Sequence, residues 1–115
     1  MKLYIAGPMT GLPEFNYPAF RRAVSLLTNH GYEVESPHVN GETHDQDTTP
    51  WETYIRLGLL QLLNCEAIAL LDGWEKSRGV AMELYVARAI KMPAEPIQYW
   101  IGKAVMPKHR SGDEG

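Results

Sequence analysis

A glutamate stands on a helix stripe that otherwise belongs to the core. In the stretch Ser77 to Lys91, Val80, Glu83, Ala87 and Ile90 are spaced three and four apart, while Arg78, Tyr85, Arg88 and Lys91 fall on the other side. A helix here points a carboxylate at the layer it packs against. Such a group is costly unless it is paired, solvated by a cleft or raised in pKa, and carboxylates of this kind concentrate at functional sites. The plain alternative is a boundary glutamate whose stem lies on the core and whose head reaches solvent or Arg88. Ser77-Arg78-Gly79 opens the same helix. A serine cap, a glycine that admits a ligand and free N–H groups at the positive helix end suit a phosphate; the same residues also make an ordinary cap.

Two further groups could carry chemistry. Tyr4 precedes the loop Gly7-Pro8-Met9-Thr10-Gly11, and Asp72-Gly73-Trp74 follows a later apolar run. The first loop lacks the Lys-Ser/Thr of a P-loop and the third-glycine spacing of a dinucleotide fingerprint, so neither ATP hydrolysis nor NAD binding is supported. By itself Tyr4 reads as a core aromatic. His38, His44, Asp45 and Asp47 have no fixed helical or strand spacing, and no metal site is read from them. No cofactor is expected.

The elements that must position these residues follow from periodicity and punctuation. Residues 2–6 (KLYIA) form an apolar run closed by Gly7-Pro8, a buried first strand. Asn16 is placed to cap a helix with Phe20, Val24 and Leu27 on one stripe and Arg21, Arg22 and Ser25 facing water, and Gly31 ends it. Residues 32–36 (YEVES) alternate and stop at Pro37, a second strand. Residues 38–50 are polar and aperiodic and read as a loop. A helix is expected over 51–64, carrying Trp51, Tyr54, Ile55, Leu59, Leu62 and Leu63 at helical spacing, then a third strand over 66–71 that is apolar on both faces. The helix over 77–91 follows, and residues 96–99 are expected as a fourth strand. This order predicts an α/β fold: an open parallel sheet of four to five strands with right-handed crossovers and helices on both faces. Ligands of such sheets bind beyond the carboxyl ends of the strands, where Gly7–Gly11, Pro37-His38 and Asp72–Glu83 all lie.

Size and composition bound the answer. The chain has 115 residues, room for one domain over residues 1–100 with a polar tail over 101–115. Its hydrophobic share of 44% and charged share of 22% are those of a globular protein. Eleven basic against fourteen acidic residues leave a formal charge of −3 without a basic face. Polymeric nucleic acid is therefore excluded as a partner, while a single nucleotide is not. The one cysteine, Cys65, fits a reducing cytoplasm, and the early break at Gly7-Pro8 argues against a signal peptide or membrane span.

Taken in order, Tyr4 to Gly11, Phe15-Asn16 with Pro18-Ala19-Phe20, Asp72-Gly73-Trp74, and Ser77 to Glu83 resemble the nucleoside 2-deoxyribosyltransferase-like family, including its deoxynucleoside 5′-monophosphate N-glycosidases. The match runs from about Lys2 to Met92. The resemblance implies a flavodoxin-like sheet, a small nucleotide or nucleoside as substrate, and Glu83 as the nucleophile at the anomeric carbon of the sugar. It implies that Tyr4 orients this carboxylate, that Gly7, Pro8, Met9, Thr10 and Gly11 wrap sugar and phosphate, and that Ser77, with Gly79, binds phosphate as in the monophosphate hydrolases. His38 and Trp74 join the binding residues on the same ground. A homodimer or larger assembly is also implied, with Trp51, Trp74 and Trp100 as anchors.

Two departures from the family pattern stand out. Gly58 replaces an aspartate that assists the leaving base, and Thr10 replaces a basic residue of the phosphate loop. Acid assistance is worth about 10² to 10⁴ in rate. Asp72 is the nearest substitute acid. An enzyme that hydrolyses rather than transfers is the favoured reading; a nucleotide-binding or sensing module without catalysis, and a scaffold with a vestigial cleft, are its competitors.

Overall fold

The computed structural model describes residues 1–111, with side chains described for residues 1–104. Strands β1 (Lys2–Ala6), β2 (Glu33–Glu35), β3 (Ala67–Leu70) and β4 (Ala94–Pro96) form one parallel sheet in the order β2-β1-β3-β4. Helices α1 (Tyr17–Asn29), α2 (His38–Thr43), α3 (Trp51–Leu63), α4 (Arg78–Ala89) and α5 (Ile97–Ser111) connect and cover it. The expected α/β architecture is present, with four strands.

Alternation along β1 sorts its side chains into two cores. Leu3 and Ile5 pack with Phe20 and Leu27 of α1 and with Ile97 and Trp100 of α5. Tyr4 and Ala6 face the other way, onto Leu62 of α3 and Val80, Leu84 and Ala87 of α4. β3 repeats the pattern, with Ala67 and Ala69 in the first core and Ile68 and Leu70 in the second. The apolar run of each central strand is thus explained by cover on both faces.

Five local expectations are corrected. The stretch 38–50 is not wholly loop, because α2 occupies its first half. Its sequence HVNGET has little helical propensity, and tertiary ties compensate: His38 is buried and Arg21 of α1 pairs with Glu42 at 2.7 Å. β4 lies at Ala94–Pro96 rather than over 96–99. Ile97 and Trp100 instead start α5, whose backbone runs through Ser111, where a polar tail was expected; residues 112–115 of that tail lie outside the described residues. Trp100 is no surface anchor either, being 1% exposed with its indole N–H donating to Ile68 O at 3.0 Å and to Glu95 O at 3.1 Å. Lastly, Asn16 occupies the N-cap position of α1 without capping it through its side chain. It takes a left-handed φ of 62°, and its amide donates to Pro8 O at 3.0 Å.

Trp100 joins β3, β4 and α5 in one contact. Trp100→Ala is expected to lower the unfolding free energy by about 3–5 kcal/mol in urea denaturation, the usual cost of emptying a buried aromatic site. A loss below about 1 kcal/mol would show that α5 is not part of the cooperative core.

Candidate active site

Glu83 is 7% exposed and Tyr4 is fully buried. The second core brings them together, because Tyr4 points from β1 toward α4 and Glu83 points from α4 toward the sheet. Tyr4 donates its phenolic hydrogen to Glu83 Oε2 at 2.5 Å. The stripe carrying Glu83 is Val80, Glu83, Leu84 and Ala87. Ile90, expected on it, lies past the end of the helix and is exposed.

Burial holds the Glu83 carboxyl up at about 7 against its ordinary 4.5, and the Tyr4 hydrogen bond works in the opposite direction by favouring the carboxylate. Tyr4 is itself pushed well above its ordinary 10, first by burial and then by the charge of Glu83. Tyr4 therefore stays a donor throughout the neutral range, and Glu83 changes charge within it.

Gly58 completes this arrangement. It is buried on α3, and a Cβ placed on it would lie 2.8 Å from Tyr4 Oη and 3.1 Å from Glu83 Oε2. Sequence comparison by residue type registers Gly58 only as a missing acid; the fold shows that a bare backbone is what lets α3 close over the pair.

The loops beyond β1 and β3 meet as expected. A Cβ on Gly7 would come within 2.8 Å of Leu71, and one on Gly73 within 3.3 Å of Pro8. Gly11 has a left-handed φ of 83°. Met9 packs on the first core, and Thr10 is exposed. Between this loop and α1, Glu14, Phe15 and Asn16 all have positive φ, of 53°, 53° and 62°. Such backbone costs on the order of 1 kcal/mol or more per non-glycine residue and marks a segment held by its surroundings. Residue types give no hint of it.

The remaining residues fall around this centre. Ser77 caps α4 by accepting from Val80 N at 3.2 Å. Gly79 serves helix packing, since its Cβ position lies 3.2 Å from Ile55 of α3. Arg78, on the expected polar side, stacks over the Trp51 ring at 3.7 Å. Trp74 is half-buried against the second core and, with Ser77, Leu84 and Arg88, lines a cavity of about 170 Å³ that does not include Glu83. A neighbouring cavity of about 320 Å³ is also lined by Trp74 and Arg88, toward β4. Asp72 is exposed. His38 is buried, with Nδ1 2.6 Å from Ser36 Oγ, Nε2 3.9 Å from Glu42 and its ring beside Tyr17 and Phe20; its polar partners are these and not Glu83. Burial lowers its pKa. Among the described residues, no three His, Cys, Asp or Glu side chains gather as a metal set, and no helix is long and apolar enough to cross a membrane.

The Glu83 proton links the site to stability. Between pH 4.5 and about 7 the folded protein retains a proton that the unfolded chain has released, so this group's contribution is full below 4.5, is lost as pH rises to about 7, and stays lost above. The loss is on the order of 3 kcal/mol. Glu83→Gln is therefore expected to be more stable than the parent by about 1–3 kcal/mol at pH 8, with the gap closing toward pH 5, in denaturant titrations at several pH values. Gly58→Ala gains helix propensity of about 1 kcal/mol yet is expected to lose a net 1–3 kcal/mol, roughly the cost of overpacking. A neutral or stabilised Gly58→Ala protein would contradict the close approach.

Comparison with known proteins places this fold. The chain resembles the 2-deoxyribosyltransferase of Bacillus psychrosaccharolyticus at 21% identity and a TM-score of 0.64, over 82% of this chain and 69% of that one. It resembles the 2-deoxyribosyltransferase of Leishmania mexicana at 20% identity and a TM-score of 0.60, over 83% of this chain and 62% of that one. No curated protein matches it by sequence. The fold is thus that of the nucleoside 2-deoxyribosyltransferases. Residues 1–95, which carry Tyr4, Gly58 and Glu83, match the family model described as a domain of unknown function, DUF4406, and the chain belongs to that family.

Proposed function

We propose that this protein is a cytoplasmic N-glycosidase that cleaves the bond between base and sugar in a (deoxy)nucleoside 5′-monophosphate or nucleoside. The observation that carries this reading is the buried Glu83 carboxyl held by Tyr4 at 2.5 Å. A carboxylate whose one oxygen is occupied by a donor keeps the other for attack. In the first step a Glu83 oxygen bonds to the anomeric carbon while the glycosidic C–N bond breaks, its electron pair leaving on the base nitrogen, which takes up a proton. Asp72, exposed in the turn that touches Pro8, is the acid assigned to that proton. Water then attacks the anomeric carbon, loses a proton and releases the sugar, and Glu83 returns as carboxylate. Ser77 at the start of α4 supports a phosphorylated substrate, because a helix N-terminus and a hydroxyl favour an anion, and with it hydrolysis over transfer. Exposed Leu60 and Leu63 of α3 and Tyr85 of α4 support assembly as a homo-oligomer.

A second reading rests on Gly58. With no carboxylate on α3 at the pair, the same residues support a module that binds a nucleotide without turnover.

Incubation with a panel of nucleoside monophosphates and nucleosides, followed chromatographically for free base, separates the two. The enzyme is expected to release base, with kcat/KM rising as pH passes about 7 and Glu83 ionises. Glu83→Gln is expected to abolish release while staying folded. Undiminished release by Glu83→Gln would refute the mechanism, and nucleotide-dependent thermal stabilisation without any base over hours would favour the module.

A further inference from the structure

Among the described residues, Tyr54 Oη is the buried side-chain polar atom without a hydrogen-bond partner. A buried, unpaired hydroxyl forfeits about 1–3 kcal/mol, and a native fold that keeps one keeps it for a reason. Its position supplies one. Tyr54 and Gly58 are four residues apart on α3, on one face and about 6 Å along the axis from each other. Gly58 touches the Tyr4–Glu83 pair, so Tyr54 stands one helical turn from the candidate nucleophile.

The surroundings of Tyr54 are aromatic. The His44 ring lies edge-on to it at 6.2 Å. The Tyr17 hydroxyl accepts from Gln46 Nε2 at 2.8 Å, and its pKa is raised first by burial and then by Tyr54. Tyr17 follows Asn16, whose amide holds the Gly7–Gly11 loop through Pro8 O. Two tyrosines and a histidine thus gather where α1, α2 and α3 meet, near the loop and one turn from Glu83.

We propose that Tyr54 is a substrate-contacting residue whose hydroxyl donates a hydrogen bond to the nucleobase of the bound nucleotide. The proposal rests on the nucleotide reading above. Every nucleobase offers ring-nitrogen or carbonyl acceptors, and its flat faces suit aromatic walls. A tyrosine hydroxyl carries a hydrogen that it can donate to such an acceptor. The hydroxyl is covered in this structure, so this role requires α2 and His44 to shift outward when the ligand binds. Besides the burial of His38, α2 is held by the Arg21–Glu42 pair and the Asn40–Gln61 hydrogen bond at 2.9 Å.

The test compares the parent with Tyr54→Phe by isothermal titration calorimetry against 2′-deoxyadenosine 5′-monophosphate, 2′-deoxycytidine 5′-monophosphate and base-free 2-deoxyribose 5-phosphate, with thermal melts of the free proteins. Tyr54→Phe is expected to bind at least one nucleotide about 5- to 30-fold more weakly, as for one lost hydrogen bond, to bind the sugar phosphate as the parent does, and to melt at the parent temperature or above. Equal nucleotide affinity in the two proteins, equal weakening of nucleotide and sugar phosphate, or a lower melting temperature of the free variant overturns the role of Tyr54 and leaves the nucleotide reading standing. A parent that binds none of the three overturns both.

Discussion

The hydrogen bond from Tyr4 to Glu83 constrains the rest of the molecule more than any other contact. A carboxylate in the core is tolerated only with a donor beside it, and here that donor comes from the central strand, 79 residues earlier in the chain. The requirement fixes the parity of β1. A slip of one residue would present Leu3 or Ile5 to Glu83 and leave the charge without a partner. It also fixes α3, which approaches closely enough only because residue 58 has no side chain. Sheet register, helix spacing and one glycine are consequences of a single polar contact.

The same economy governs the loop beyond β1. Gly7 is pressed against Leu71, Gly73 against Pro8, and Asn16 reaches back to Pro8 O. The last tie is made by a residue in left-handed backbone that follows two others in the same state. Strain of this kind persists where neighbours over-determine the chain, and it places a loop more rigidly than relaxed backbone does. The loop is held from both sides.

Much of this was legible in residue types. The alternation of apolar runs with helical stripes gave the parallel sheet, and the stripe of its helix showed that Glu83 turns its carboxyl toward the sheet. What escaped depends on tertiary contact. α2 has a poor helical sequence and exists through Arg21–Glu42 and the burial of His38. Residues 96–99 look like a strand by composition, but Ile97 and Trp100 are needed on the first core, and helical spacing delivers both. Gly79 next to a serine cap suggests room for a ligand, whereas the room is taken by Ile55. Gly58 reads as a loss in the sequence because the partners that require it, Tyr4 and Glu83, are distant along the chain.

Burial and hydrogen bonding oppose each other at Glu83, and their balance gives the site its character. Desolvation alone would leave a neutral carboxylic acid. A second strong donor would pull the group down to a permanent carboxylate. One tyrosine, itself kept protonated by the same burial, leaves the carboxyl near neutrality, at about 7. The stability that this arrangement gives up above pH 4.5 is the cost of keeping an ionisable carboxyl inside the fold. Gly58 belongs to that balance as well, since any side chain there would move the donor, the acceptor or both.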